Sequence, residues 1–421
     1  MAVMAAAADA AFDRLERRSV DERETALVAS LATLIAHAKQ ASAYYGELFA
    51  DVRPQDIKDF TALARLPVTR KAELKQLQEK RPPFGGLEAN ATLKIARVFA
   101  SPGPIFEPQV ARPDYWRYAR ALWATGLRPG DLLHNCFAYH FTPAGAMMET
   151  GALAIGASVF PAGTGQTELQ VQAAAGLRPV AYAGTPDFLR TILEHADARA
   201  RDLSCFRIAH VTGGALLPDA RAFYAKRQID VMQSYGTAEV GLIAYESAAR
   251  EGLIADECVI IEIVEPGTGT PIADGEPGEV LVTVLNPDYP LIRFATGDLS
   301  AILPGVSPCG RTNRRIKGWL GRADQTTKVR GMFVHPHQIA EAVRRHPEIG
   351  FARLVVGRER GADVMTLKVE AAADGEDFAR KVEASVQALT RLRAKVEVCA
   401  AGSLPRDGRL IEDARDYAGK S

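Results

Sequence analysis

Apolar residues recur at three- and four-residue spacing in DERETALVASLATLIAHAKQASAYYGELF, and this predicts amphipathic helices through much of residues 1–80. The Ala-rich opening, MAVMAAAADAAFDRLERR, lacks a basic n-region and reads as helix rather than as a signal peptide. Between residues 93 and 245 the pattern alternates. Short apolar runs (DLLHNCF, GASVFP, PVAYAG, RIAHVTGG, DVMQSYG) are separated by helical stretches (TELQVQAAAGL, TPDFLRTILEHADA, LPDARAFYAKR). That is βα repetition, which predicts a mostly parallel sheet covered by helices. The Thr-Pro-Asp of GTPDFL is a good helix start.

The grammar changes over residues 255–320. ECVIIEIVEPGTGTPIADGEPGEVLVTVL holds β-branched runs broken by PGTG and DGEPGE, which predicts hairpins and a small antiparallel, barrel-like sheet. After GWLGRADQTTKVRG come a helix (HPHQIAEAVRRH), apolar runs (ARLVVGRE, VMTLKVEA), a long helix (EDFARKVEASVQALTRLR) and a last run (KVEVCA). The expected class is α/β. A large domain over 1–322 holds a helical start, an α/β core and an antiparallel part. A small α+β domain over 323–421 follows, with a boundary near Arg322–Asp324.

Composition narrows the class. The 421 residues carry formal net charge +0, with 47% hydrophobic and 24% charged residues. That is ordinary for a globular protein and gives no electrostatic argument for nucleic acid or an anionic membrane. No apolar run approaches the roughly 20 residues of a membrane span; GALAIGASVF reads as a buried strand or helix. The five cysteines form no CxxC pair, which points to a reducing, cytoplasmic setting rather than a disulfide framework.

Candidate chemistry begins at FASPGPIFEPQ, residues 99–109, after the apolar run LKIARVF and before the helix-like DYWRYARALWATG. That is where a strand–loop–helix phosphate cradle would sit. Such a cradle uses glycines, hydroxyls and usually a lysine around an anion. This loop offers Ser101, Gly103, three prolines and Glu107, and proline has no N–H to donate. His134, Cys136 and His140 in HNCFAYH read as core or pocket lining rather than as a metal site. His335 and His337 read as a turn before a helix, and Gly267 and Gly269 as a hairpin with no dinucleotide role. RRSVDERE reads as a solvated helix face.

In this order and spacing, QSYGTAEVG, YPLIRFATGDLS, PCGRTNRRIKGWLGRADQTTKVRGMFVHPHQI and GSLPRDGR resemble the adenylate-forming enzymes, in their phenylacetate–CoA ligase branch. PQDIKDFTALARLPVTRKAELK and GTGQTELQVQAAAGLRPVAYAGTPDFL are looser matches, and the likeness covers almost the whole chain. That family makes an acyl-adenylate from ATP and a carboxylic acid, then passes the acyl group to coenzyme A. A small C-terminal domain rotates between the two half-reactions.

The resemblance implies roles for individual residues. Tyr235 would stack on adenine, and Glu239 would hold Mg²⁺ near the phosphates. Gly213 and Gly214 would let the backbone approach the nucleotide and acyl group, with Gly236 and Thr237 beside them. Asp298 would accept from both ribose hydroxyls and Arg322 would also touch the ribose. Asp324 would lie at the hinge, with Lys328 and Gly331 along the path of the coenzyme A arm. Tyr139, Phe141, Thr185 and Pro186 would form the acyl pocket, for an aryl or similarly compact acid. The implied ligands are ATP or AMP, Mg²⁺ and coenzyme A, or a carrier-protein thiol in its place; the implied assembly is a homodimer.

The chain departs from the family at the phosphates. The family loop reads roughly Ser-Ser-Gly-Thr-Thr-Gly-Lys-Pro, whereas here Pro104 and Ile105 replace the hydroxyl pair and Glu107 replaces the lysine. At about 4 Å and an effective dielectric near 20, a Glu107 carboxylate would repel a triphosphate by up to several kcal/mol. Ala238 stands where the family has Ser or Thr before the metal-binding Glu. PRDGR offers Arg409 where the family has its C-terminal catalytic lysine, and a planar fork is not a point ammonium. Only Cys309 remains of a Cys/His cluster carried by some relatives, so no structural zinc is expected. Three functions follow: an ATP-dependent acid–CoA ligase, an ATP-independent acyl transferase using a preformed acyl-CoA or adenylate, or a non-catalytic acyl-CoA or nucleotide binder.

Overall fold

Five of the apolar runs become strands of one sheet; the inner ones are buried on both faces and need no polar alternation, while Ser158–Phe160 at the edge is partly exposed. Leu132–Asn135, Ser158–Phe160, Ala181–Gly184, Ile208–Val211 and Asp230–Thr237 pair in parallel. The sheet then turns antiparallel through Gly241–Glu246, Leu253–Ala255, Arg315–Ile316 and Ile302–Leu303, nine strands in all. Helices Thr167–Leu177, Pro186–Asp197 and Pro218–Lys226 form the crossovers. Thr185 caps the second through Phe188 N, 3.4 Å from its Oγ1, with Pro186 at the first helical position.

These are statements about residues 11–89, 94–101, 104–214, 216–329, 332–359 and 362–415, which the computed structural model describes. Met1–Ala10 of the expected first helix lie outside them, and the following Arg14–Arg17 is a single 3₁₀ turn. Helix Val20–Ala41 is held at its start by a reciprocal Ser19–Glu22 cap. It buries Leu27, Leu31, Leu34, Ile35 and Ala38 in one cluster with Ile261, Ile263 and Phe294. Each of the larger side chains contributes roughly 1.5–3 kcal/mol by leaving water.

Two expectations are corrected. The N-terminal 80 residues are not all helix: Thr69–Arg70 is a strand, parallel to Leu291–Ser300 with Thr69 opposite Phe294 and Arg70 opposite Ala295. The antiparallel part is an open sheet rather than a barrel, in the order Thr69–Arg70, Leu291–Ser300, Gly278–Val284, Val259–Val264. A barrel needs its edge strands to meet, and here the edges are a two-residue strand and Val259–Val264.

Contacts divide the chain into two compact units. The first holds Met1–Glu265, Gly269–Thr296 and Ala301–Trp319. The second holds Leu320–Ser421 with the short pieces Pro266–Thr268 and Gly297–Ser300. Its core is a four-stranded sheet, ordered Lys395–Cys399, Ala362–Ala371, Ile349–Glu359, Ile411–Asp413. Helices Pro336–Arg344 and Glu376–Thr390 contribute Ile339, Ala342, Phe378, Val382 and Val386 to its apolar interior. No described helix is long and apolar enough to cross a membrane.

Candidate functional site

The segment SYGTAEVG folds as a strand end and a tight turn. Tyr235 lies on strand Asp230–Thr237, which runs back through the turn 238–240 into Gly241–Glu246. A register shift falls between Tyr235 and Gly236. A Cβ at Gly236 would lie 2.5 Å from both the Gly241 carbonyl oxygen and the Tyr118 hydroxyl, so only glycine fits. Thr237 Oγ1 accepts from Val240 N at 3.3 Å and ties the turn. Tyr235 is 8% exposed, and its hydroxyl donates to Thr296 Oγ1, which in turn donates to the Val280 carbonyl at 3.1 Å. The ring is thereby fixed from its far end.

Glu239 is turned inward at that turn, 4% exposed. Its Oε1 lies 2.8 Å from Lys71 Nζ, while Oε2 has no hydrogen-bond partner among the described residues. An isolated buried carboxylate is costly, so this oxygen marks a place for a cation or donor. Ala238 adds none, and Thr237 retains only its own hydroxyl proton.

The stretch around Glu107 is not the expected strand–loop–helix. Ile95–Ser101 and Ile105–Val110 pair as an antiparallel hairpin, with Ser101 opposite Ile105 and Phe99 opposite Glu107. Gly103 of the predicted loop lies outside the described residues. Gln78 clamps the hairpin from helix Leu74–Lys80: its amide donates to the Phe106 carbonyl and accepts from Phe106 N, both at 2.8 Å. Glu107 therefore faces the interior at 0% exposure, and its Oε1 accepts from the Ser101 hydroxyl at 3.0 Å. Burial first, and the Glu239 charge second, push the Glu107 carboxyl up to about 8. It keeps its proton at neutral pH. The repulsion against a triphosphate expected from the sequence is thereby removed.

The other predicted residues of this unit follow the crossover loops. Gly213 (φ 72°) and Gly214 continue strand Ile208–Val211, and Thr212 Oγ1 donates to the Ser234 carbonyl at 2.8 Å. A Cβ at Gly213 would meet Phe137 and Thr185 at 3.9 and 4.0 Å, and one at Gly214 would meet Pro186 at 3.4 Å. Phe137, Thr185, Pro186 and the two glycines thus lie together. Tyr139 accepts from Asn135 Nδ2 at 2.7 Å. Burial, then the nearby Glu149 charge, hold its phenol well above the usual tyrosine range. Phe141 is 76% exposed in the left-handed region at φ 58°, and its carbonyl accepts from Ala100 N at 2.7 Å, which fastens its loop to the hairpin.

In the second unit, Asp298 and Arg322 face each other across paired strands, with Arg322 Nη1 donating to Asp298 Oδ1 at 3.2 Å. Asp324 lies in the 3₁₀ turn Ala323–Gln325, and Lys328 in a strand opposite Phe333. Gly331 lies outside the described residues. Arg409 is exposed just after the bend at Asp407–Gly408, with its backbone N–H donating to Asp407 Oδ1 at 3.0 Å.

The readings of the histidines and cysteines also have placements. His134 is buried and donates from Nε2 to Gln170 Oε1 at 2.7 Å. Cys309 lies 3.1 Å from the Ser307 hydroxyl and 3.3 Å from Arg311 Nη1. No group of three or more His, Cys, Asp or Glu among the described residues is arranged to hold a metal.

Sequence reasoning missed Lys71 and Thr296, whose signals were weak. Lys71 stands inside the loosely matching PVTRKAELK, and Thr296 inside YPLIRFATGDLS, two residues before Asp298, where nothing local marks it as the partner of Tyr235.

Two family profiles match the chain: AMP-binding enzyme over residues 115–284, and AMP-binding enzyme C-terminal domain over residues 331–415. The chain is 30% identical to the phenylacetate-coenzyme A ligase of Escherichia coli (strain K12), covering 97% of this chain and 98% of that one. It is 31% identical to the phenylacetate-coenzyme A ligase of Thermus thermophilus, covering 84% and 81%. Its fold is similar to an open conformation of 2-hydroxyisobutyryl-CoA ligase, in complex with 2-HIB-AMP and CoA. That match has a TM-score of 0.84 at 25% identity and covers 95% of this chain and 93% of the other.

Proposed function

The chain belongs to the AMP-binding enzymes as an AMP-forming ligase of the phenylacetate–CoA ligase type, and from that premise we propose that it activates a compact, aryl-type carboxylic acid with ATP and transfers it to coenzyme A. A substrate carboxylate oxygen attacks the α-phosphorus, the bond to the β-phosphate oxygen breaks, and pyrophosphate leaves. The coenzyme A sulfur then attacks the carbonyl carbon and AMP leaves with the bonding electron pair. The observation that carries the reading is the Tyr235–Glu239 turn: an aromatic ring fixed by Thr296 beside a buried carboxylate with an unpartnered oxygen.

Tyr235 offers its ring to adenine, and Gly213, Gly214, Gly236 and Thr237 line the nucleotide. Glu239 fits a magnesium ion, since one carboxylate supplemented by phosphate oxygens and water is an ordinary donor set for it. The ion, when bound, would neutralise phosphate charge as pyrophosphate departs. Phe137, Tyr139, Phe141, Thr185 and Pro186 shape the acyl pocket. Asp298 accepts from the ribose hydroxyls, a geometry that the Arg322 contact pre-sets. Arg409 supplies the second unit's cation in the adenylation step, while Asp324, Lys328 and Gly331 serve the hinge and the coenzyme A path.

The test is chromatography of AMP and acyl-CoA after incubation with ATP, MgCl₂, coenzyme A and a panel of aryl acids headed by phenylacetate. Equal amounts of AMP and thioester, dependent on ATP, are expected with at least one acid. Thioester exchange from a supplied acyl-CoA with no AMP from any acid would replace the ligase by a transferase. No product from either would leave a binder.

A further inference from the structure

The loop that should bring a lysine to the phosphates brings Glu107 instead, and Glu107 is turned into the interior. A cation nevertheless stands beside Glu239. It comes from the N-terminal segment: strand Thr69–Arg70 is zipped onto Leu291–Ser300, and Lys71 opens the 3₁₀ turn that immediately follows. The placement is held on both sides. Tyr45 Oη accepts from Ile292 N at 2.8 Å and lies 3.4 Å from Thr69 Oγ1. The next helix, Leu74–Lys80, clamps the hairpin strand that carries Glu107 through Gln78.

Resting on the ligase reading above, we propose that Lys71 is the phosphate-side cation of this enzyme, standing in for the lysine that its loop lacks. In the ligand-free arrangement its ammonium is parked on Glu239 Oε1 at 2.8 Å. Its side chain is still 28% exposed, whereas that of Glu239 is only 1% exposed. Lys71 thus reaches solvent while the Glu239 carboxylate does not, and on the ligase reading a nucleotide phosphate would arrive from that side. An ammonium has three donors, and Glu239 is the ion-pair partner it has among the described residues. When a divalent cation takes the Glu239 oxygens, Lys71 loses its counter-charge. Phosphate oxygens are then the acceptors within reach of its flexible stem. The ion pair is thus a waiting position that releases its cation as magnesium and triphosphate enter together.

The test separates phosphate contact from general support of the fold. Titration calorimetry measures Mg·ATP and, separately, AMP binding to the wild type, Lys71→Met and Lys71→Gln. AMP has no β- or γ-phosphate. Glutamine keeps a polar, donor-bearing side chain beside Glu239, so Lys71→Gln is the variant to use if Lys71→Met does not fold. Loss of tenfold or more in Mg·ATP affinity with AMP affinity changed less than twofold is expected for Lys71→Gln, and Lys71→Arg should restore most of the loss. Equal weakening of both ligands, or of neither, would overturn the proposal and make Lys71 a neutraliser of Glu239 alone. A wild type that binds AMP but not Mg·ATP would also overturn it. A wild type that binds neither would sink the ligase reading itself, and this proposal with it.

Discussion

The phenol of Tyr235 donates a 3.2 Å hydrogen bond to the hydroxyl of Thr296, which passes its own proton to the Val280 carbonyl. The ring is fixed by its polar tip, and on the proposed reading its remaining edge would meet adenine. The two functions separate by substitution. Tyr235→Phe loses one hydrogen bond, about 1 kcal/mol of stability, and keeps the ring, so Mg·ATP affinity should fall less than threefold. Tyr235→Ala loses the stack, worth roughly 1–3 kcal/mol for a base on an aromatic ring, and affinity should fall about tenfold or more. Calorimetry on both variants checks this; equal losses would place adenine elsewhere.

Glu107 gives the protein an unusual pH dependence. Burial pushes its carboxyl up to about 8 from the ordinary glutamate value of about 4.5. Between those two values the folded state holds a proton that the unfolded chain has released. Stability from this group is therefore full below about 4.5 and lost as pH rises through 8, with a slope of about 1.4 kcal/mol per pH unit in between. Glu107→Gln removes the slope. Urea unfolding of wild type and variant at pH 5, 6.5 and 8 should show the wild type losing ground to the variant at each step. A difference that stays constant with pH would mean Glu107 is already ionised.

Glu16 is the hub that fastens the N-terminal turn to the core of the first unit. At 1% exposure it accepts from Arg120 Nη1 at 2.7 Å, Arg311 Nε at 2.8 Å, Tyr245 Oη at 3.2 Å and Phe12 N at 3.1 Å. Removing it takes a carboxylate from two buried guanidinium groups, of which Arg120 keeps Asp13, and breaking a buried pair costs about 3–5 kcal/mol. Glu16→Ala should lose that much in denaturant unfolding, with the m-value unchanged. A loss below 1 kcal/mol would show that Asp13, which also accepts from Arg120 at 2.8 Å, carries the pair alone.

How much of this could be read beforehand depends on where the information lies. Leu132–Asn135 through Asp230–Thr237 were legible because parallel strands buried on both faces are continuous apolar runs, and Thr185 was legible because a cap is a local signal. Thr69–Arg70 was not, since two residues have no period and the strand exists only through Phe294 and Ala295. The hairpin at Ser101 was misread because Ile95–Arg97 are exposed while Glu107 and Gln109 are buried; the usual alternation is inverted, with Ser101 supplying a partner to Glu107 and Arg97 one to Gln109. In the site, Tyr235 and Glu239 share one short motif. Lys71 meets Glu239 from a distant part of the chain, and no spacing rule predicts such a pair.

Asp298 and Arg322 are joined within the second unit by backbone pairing as well as by the 3.2 Å contact. The Arg322 side chain is 38% exposed, so the ion pair alone adds little to stability. On the proposed reading its use would be orientation: the guanidinium contacts the Asp298 carboxylate, and hydrogen bonds from two ribose hydroxyls to that carboxylate would be charge-assisted, about 1.5–3 kcal/mol each. Asp298→Ala should therefore weaken both Mg·ATP and AMP by 10-fold or more. Arg322→Ala, which leaves the carboxylate present without its Arg322 contact, should cost less than Asp298→Ala. Because the ribose is common to both nucleotides, the ATP-to-AMP affinity ratio should stay within twofold of wild type in each variant. A ratio that changes with Asp298 would mean the carboxylate acts on the phosphates and not on the ribose.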